Sequence, residues 1–141
     1  MSAGSGEISI GRNVHISVYT SIIGKGKVQV GDFTALSSRV SIYSSNDDYS
    51  GEYMVNPTID PKFTNVTHKE VHIGNHVIVG SGTVILPNVI LGEGVCIGAL
   101  SLVKENCKSF YVYAGIPAKL IKKRSKKLLD REIEFLKYLK S

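Results

Sequence analysis

The chain has 141 residues, 43% of them hydrophobic, enough for one buried core, and its 17 Lys and Arg against 12 Asp and Glu leave a formal net charge of +5. No apolar run approaches the ~18 residues a membrane helix needs and no leader peptide is visible, so a cytoplasmic protein without membrane insertion is expected. Cys96 and Cys107 are too few for a disulfide framework and are expected as reduced structural thiols.

In chain order, MSAGSGE is small and flexible. Ile10, Ile16 and Ile22 then recur at a period of six, and Val30, Leu36 and Ile42 resume that period after a two-residue slip around Val28-Gln29, which reads as an expanded corner. Between Ile42 and Ile73 the period vanishes into a polar, turn-rich segment holding Pro57 and Pro61, read as an excursion loop over residues 43–72. Its Tyr49, Tyr53, Met54, Ile59 and Phe63 argue against plain disorder and favour a functional loop.

Ile73, Val79, Ile85, Leu91, Ile97 and Val103 follow without a break. Gly comes directly after four of these six, and the residue four places on is small or β-branched: Val77, Thr83, Val89, Val95, Ser101. Neither a helix nor a flat strand has a period of six. A parallel β-helix does, with three hexads per triangular coil, each aliphatic residue stacked on its counterpart one coil away. The expected fold is therefore an all-β solenoid, one domain over residues 1–141, with first coils at 8–42 and regular coils at 73–108. Residues 109–124 read as extended, and 125–140 as an amphipathic helix through Leu128, Leu129, Glu132, Ile133, Leu136 and Leu139 that caps the solenoid's open end.

The positive charge is concentrated in Lys119, Lys122, Lys123, Arg124, Lys126 and Lys127. That density suits a small phosphorylated ligand, or simply a solvated helix start. Aromatic residues are not interleaved with it, which excludes a nucleic-acid surface.

HIGNHVIVGSGTVILPNVILGEGVCIGALSLV followed by AGIPAKLIKKR resembles the hexapeptide-repeat acyltransferases, particularly the sugar O-acetyltransferases of the galactoside, maltose and lipopolysaccharide O-antigen type. The resemblance covers about two thirds of the chain and is firmest from Val71 to Arg124. It implies a left-handed β-helix and a homotrimer with active sites between neighbouring subunits. Acetyl-CoA is the implied cosubstrate, a sugar or nucleotide-sugar the acceptor, and no metal is needed. Carried over by motif, Ser81 and Ala99 follow the corner glycines where the pantetheine arm approaches the backbone. Lys119 and Lys122 in PAKLIK stand where basic residues meet the nucleotide phosphates, and Lys104 replaces a family lysine from one position earlier, beside an unfavourable Glu105.

Acetyl transfer to a hydroxyl, or to the amine of an amino sugar, needs a base for the acceptor's proton and donors for the oxyanion. The thioester is already activated, so direct attack suffices, and no Ser-His or Cys-His nucleophile pattern is evident. Related enzymes place a catalytic His near the start of the excursion, where this chain has Asn46-Asp47-Asp48. The candidate bases are His76, which hexad position turns outward, His68 at the end of the excursion, and Asp47. Asp48, Tyr49 and Tyr53 are candidate acceptor-binding residues, while His15 and His72 are read as surface hydrogen-bonders. Two alternatives use the same solenoid. One is a zinc site like that of the γ-type carbonic anhydrases, built from His68, His72 and His76, and the other is a non-catalytic trimeric scaffold.

Overall fold

A computed structural model describes all 141 residues. After β1 (Ser2–Ala3), a first complete coil holds β2 (Ile8–Ile10), β3 (His15–Ile16) and β4 (Ser21–Ile23), and a second holds β5 (Val28–Val30), β6 (Ala35–Leu36) and β7 (Ser41–Tyr43). The excursion contains β8 (Ser45–Asn46), a 3-10 turn at Pro61–Phe63 and β9 (Thr67–His68). Two more coils follow, β10 (Val71–Ile73), β11 (Ile78–Val79) and β12 (Val84–Ile85), then β13 (Ile90–Leu91), β14 (Cys96–Ile97) and β15 (Leu102–Val103). β16 (Tyr111–Gly115), β17 (Ala118–Lys123) and a helix α1 (Leu128–Lys140) end the chain.

The hexads become three parallel sheets, ordered β1-β4-β7-β12-β15, β13-β10-β5-β2 and β17-β16-β14-β11-β6-β3. We call them the first, second and third sheets. Their register stacks the aliphatic residues as expected: Ile10, Val30, Ile73 and Leu91 form one column, Ile16, Leu36, Val79 and Ile97 another, and Ile22, Ile42, Ile85 and Val103 the third. In the inner coils these side chains are fully buried, whereas Ile10 and Ile16 of the first coil are exposed.

Polar groups at the inner corners are all partnered, as burial demands. The Thr34 hydroxyl donates to the Gly74 carbonyl (2.8 Å) and accepts from the Val77 N–H (3.1 Å). Thr83 and Ser101 hydroxyls both donate to the Gly98 carbonyl (3.0 and 2.8 Å).

Two expectations are corrected, for the N-terminal residues and the helix, and the excursion takes the definite form that its aromatic residues favoured. Residues 1–7 are not a loose tail: β1 pairs with β4, and Gly4 and Gly6 stack on Gly24 and Gly26, with the Gly6 N–H donating to the Gly24 carbonyl (3.2 Å). The two-residue slip is this wide corner, ahead of Val28, and its glycines are obligatory. A Cβ on Gly24 (φ +137°) would lie 2.3 Å from the Ser44 Oγ.

The excursion is ordered. It leaves the solenoid at the same corner one coil on, where the Lys69 N–H donates to the Ser44 carbonyl (3.0 Å) and antiparallel β8 and β9 close its neck. Asp48, Asn56 and Asp60 each accept from the backbone N–H two residues ahead, so the turn-forming composition becomes a series of fixed turns.

The helix is not an end cap. β16 extends the third sheet and β17 folds back antiparallel on it, while α1 lies against the side of the solenoid. It meets the solenoid through Glu132 and the edge of Phe135, with Leu128 and Leu129 half-buried, while Ile133 and Leu139 are the more exposed and Leu136 is as exposed as Phe135.

Removing a buried column residue leaves a cavity that close-packed neighbours cannot fill, so Ile85→Ala should cost about 3 kcal/mol in urea unfolding. The exposed Ile16→Ala should cost less than about 1 kcal/mol, and equal losses at the two positions would refute the stacking account.

Candidate functional site

The corner joining the third sheet to the first is narrow and lined by small residues. Two positions past Leu36, Val79 and Ile97, register places Ser38, Ser81 and Ala99 in one column at the coil spacing of about 4.8 Å. A Cβ on Gly80 would lie 2.4 Å from the Ala99 nitrogen, so side-chain bulk is excluded there. The coils bring Ser81 and Ala99 together as expected, and add Ser38, whose Oγ lies 2.9 Å from the Ser17 Oγ.

The β16–β17 hairpin borders this corner. The Gly98 N–H donates to the Tyr113 carbonyl (2.8 Å), and the Gly115 N–H donates to the Ser101 Oγ (3.1 Å). On β17, Lys119 is opposite Ala114 and Lys122 opposite Val112, with both lysines exposed. Lys104 does not join them, because it stands past the far end of β15, at the corner between the first and second sheets.

The neck of the excursion forms a second cluster. The Ser45 Oγ accepts from the Lys25 N–H (2.8 Å) and lies 2.6 Å from His68 Nδ1. Asp48 Oδ2 accepts from the N–H and Oγ–H of Ser50 (3.1 and 2.5 Å), while Asp47 is exposed. Tyr49 and Tyr53 are also exposed, further out on the loop. β7 joins the two clusters: it starts just after the Ser38 corner, ends just before the neck, and carries Ser41 and Tyr43 on its outer face.

His76 faces outward as its hexad position requires, but onto α1 rather than into an open cleft. Its ring stacks on Phe33 (centroids 5.1 Å apart) and its Nε2 lies 3.0 Å from Glu132 Oε1, leaving the side chain 11% exposed. The Arg124 Nη1 donates to the carbonyls of His76 (2.8 Å) and Gly94 (3.0 Å), and Phe135 meets Phe33 edge-on. Phe33 and His76 share one corner column, each three residues past a stacked aliphatic residue and each with a left-handed backbone (φ 58° and 55°). The hexads alone predict that stacking. They say nothing of Arg124, Glu132 and Phe135, which arrive from a separate element.

The histidines of the zinc alternative stand on three different features. His68 is on the neck, His72 on the outer face of the second sheet beside Gln29 and Ile90, and His76 under the helix. No group of three or more His, Cys, Asp or Glu side chains converges within the chain. His15 lies on the outer face of β3.

Residues 70–105 match the family described as bacterial transferase hexapeptide (six repeats). The chain is 58% identical over 134 residues to the dTDP-4-amino-4,6-dideoxy-D-glucose acyltransferase of Escherichia coli, covering 95% of this chain and 70% of that protein. It is 34% identical over 122 residues to a putative lipopolysaccharide biosynthesis O-acetyl transferase of Escherichia coli K12, covering 85% and 62%. Among solved structures, AntD, an N-acyltransferase from Bacillus cereus, superposes with a TM-score of 0.92 at 40% identity over 94% of this chain and 72% of that one. That crystal is a serine-to-alanine variant holding dTDP-4-amino-4,6-dideoxyglucose and coenzyme A. Other crystals of AntD carry an aspartate-to-alanine change ten positions further along, or hold dTDP and 3-hydroxybutyryl-CoA.

Neither thiol is placed as a nucleophile. Burial, and secondarily the charge of Glu105, push the Cys107 thiol up to about 11, so at pH 8 it is almost wholly protonated and unreactive. Cys96 is only partly buried. A thiol-reactive disulfide at pH 8 is expected to modify Cys96 alone in the folded protein and both cysteines in denaturant; rapid labelling of two thiols in the native state would contradict the buried placement of Cys107.

Proposed function

Because the chain belongs to the hexapeptide-repeat acyltransferase family, we propose that it transfers an acyl group from coenzyme A to the 4-amino group of dTDP-4-amino-4,6-dideoxyglucose. The observation that carries this reading is the extent of the match to the Escherichia coli relative: 95% of the chain is aligned, a span that takes in the excursion as well as the coils. This reverses the order set by the sequence, where a hydroxyl acceptor stood ahead of an amine. The acyl group is acetyl in the sequence reading, and the 3-hydroxybutyryl-CoA held by AntD widens it to short acyl chains.

On this reading the pantetheine arm follows the small corner column of Ser81 and Ala99, and the phosphates lie against Lys119 and Lys122. Lys104, at another corner, is left for a neighbouring copy's site in the expected homotrimer. The acceptor lies along the outer face of β7, from Ser38 to the neck, with Tyr49 and Tyr53 over the sugar or base and Asp48 fixing the turn that carries them. The serine and aspartate altered in AntD are ten positions apart, a spacing that this chain repeats in Ser37 with Asp47 and in Ser38 with Asp48.

The amine lone pair attacks the thioester carbonyl carbon. A C–N bond forms, and the C–S bond breaks as the tetrahedral adduct collapses. The amine's surplus proton passes to a base and ends on the departing sulfur, giving an amide and free coenzyme A. Asp47 is assigned that base because its carboxylate is exposed beside the proposed acceptor, whereas Asp48 is engaged by Ser50 and His76 by Glu132. His68, bonded to Ser45, holds the neck closed.

Incubation with acetyl-CoA should convert the 4-amino sugar nucleotide to a product that resists hydroxylamine, as an amide does and an ester does not, and should leave dTDP-glucose unacylated. An ester product, or acylated dTDP-glucose, would return the acceptor to a hydroxyl. Asp47→Asn should lower kcat about a hundredfold, the order expected for a lost general base. The double change of Lys119 and Lys122 to Ala should instead raise KM for the coenzyme about tenfold with kcat nearly intact.

A further inference from the structure

The site described so far does not use Glu132, yet this carboxylate is the one polar side chain by which α1 grips the solenoid. The helix is poorly equipped to stand alone. It has 13 residues, none of them buried, and Lys127 at its N-cap supplies no capping hydrogen bond. Isolated helices of that length are marginal in water, so its place rests on a few contacts. Those contacts lie in a line: Lys126 sits over the Phe110 ring (5.4 Å), Arg124 donates to Gly94 and His76, Glu132 meets His76, and Phe135 meets Phe33. Residues 124–135 thus form a strap running back from the last coil to the second over one corner column.

The strap begins where β17 ends. The Arg124 N–H donates to the Phe110 carbonyl (2.8 Å), directly after Lys123 pairs with Tyr111. β17 is an edge strand held on one side only, and its pairing with β16 is interrupted by a register shift between Val112 and Tyr113, so two pairs alone hold the segment next to Arg124. Lys122 lies just beyond that shift and Lys119 before it. Tension or slack at residue 124 is therefore felt first at Lys123 and Lys122, and so changes the placing of Lys122 relative to Lys119 across the shift.

We propose that Glu132 is a positioning residue for coenzyme binding: through His76 it seats α1, and the seated strap holds β17 in the register that brings Lys119 and Lys122 to one anion. The pair is only partly exposed, with side-chain accessibilities of 28% for Glu132 and 11% for His76, so solvent screens it less than a surface pair. Glu132 stands apart from both sites proposed above, its one partner on the solenoid being His76. The inference rests on the coenzyme assignment made above.

The test is calorimetric titration of coenzyme A into the full-length protein and its Glu132→Ala and Glu132→Gln variants, with hydrogen exchange of residues 128–140 read in parallel. Glu132→Ala should weaken coenzyme binding about five- to tenfold and speed helix exchange, while kcat at saturating acyl-CoA changes less than about twofold. Glu132→Gln keeps an oxygen to accept from His76 and should restore affinity to within about twofold. Faster helix exchange with unchanged affinity in Glu132→Ala would overturn the positioning role and leave Glu132 merely structural. No binding by the unaltered protein at millimolar coenzyme would instead remove the coenzyme assignment itself, and this inference with it.

Discussion

Each coil must bring its aliphatic residues back into register about 4.8 Å above the previous coil, and everything else in this molecule is arranged around that requirement. The chain meets it with unequal lengths. Ile10 pairs with Val30, Val30 with Ile73, and Ile73 with Leu91, although twenty, forty-three and eighteen residues separate them. Extra residues are tolerated only where they leave the strands in phase, which means at corners. Both wide corners and the excursion emerge at the same one, between the first and second sheets, so one position absorbs every departure from the period. An insertion within a strand would turn the column residues outward and lose the core.

The other two corners are thereby left regular, and they differ in what they carry. Past Val79 and Ile97 the column holds Ser81 and Ala99, with glycines before them that admit no Cβ. Such a surface lets a long thin ligand approach backbone. Past Val30 and Ile73 the column holds Phe33 and His76, with left-handed backbones that cost roughly 1 kcal/mol or more each and hold their side chains against α1. The same left-handed position recurs at Tyr19, Arg39 and Leu100 of the other corner, so the conformation belongs to the turn of each coil, and what sets this corner apart is its packing on α1. One corner carries the small column of Ser81 and Ala99 with Arg39 and Leu100 exposed beside it, and the other is filled by the chain's own C-terminal strap.

The solenoid was legible because its rule is local: an aliphatic residue every six positions dictates which side chains stack, down to the pairing of Ile22 with Ile42 and Ile85. The column of Ser81 and Ala99 was legible for the same reason. Features whose partners lie outside the period were not. Nothing near Ser2 or Gly4 announces that they continue the stack, because the signal is a likeness between GSG and GKG twenty residues apart. The side-on placement of α1 does not follow from its own spacing, because Glu132 and Phe135 meet groups 56 and 102 residues earlier. His76 shows both sides of this. Its outward direction follows from the hexad, while its occupation by Glu132 does not.

The absence of a histidine at the start of the excursion then takes on chemical sense. A sugar hydroxyl is a poor nucleophile until its proton is being removed, so an O-acyltransferase needs a base strong enough to act during attack, and imidazole in a fixed tautomer suits that task. A sugar amine carries its own lone pair and needs only to be free of its surplus proton. A carboxylate attracts the ammonium form of the acceptor into the site and can take the more acidic proton that nitrogen carries in the tetrahedral adduct. With the amine acceptor proposed above, Asn46-Asp47-Asp48 in place of that histidine would supply a carboxylate for the proton. The residue that resisted the sugar O-acetyltransferase resemblance is thus the one most consistent with the relatives that the chain matches over most of its length.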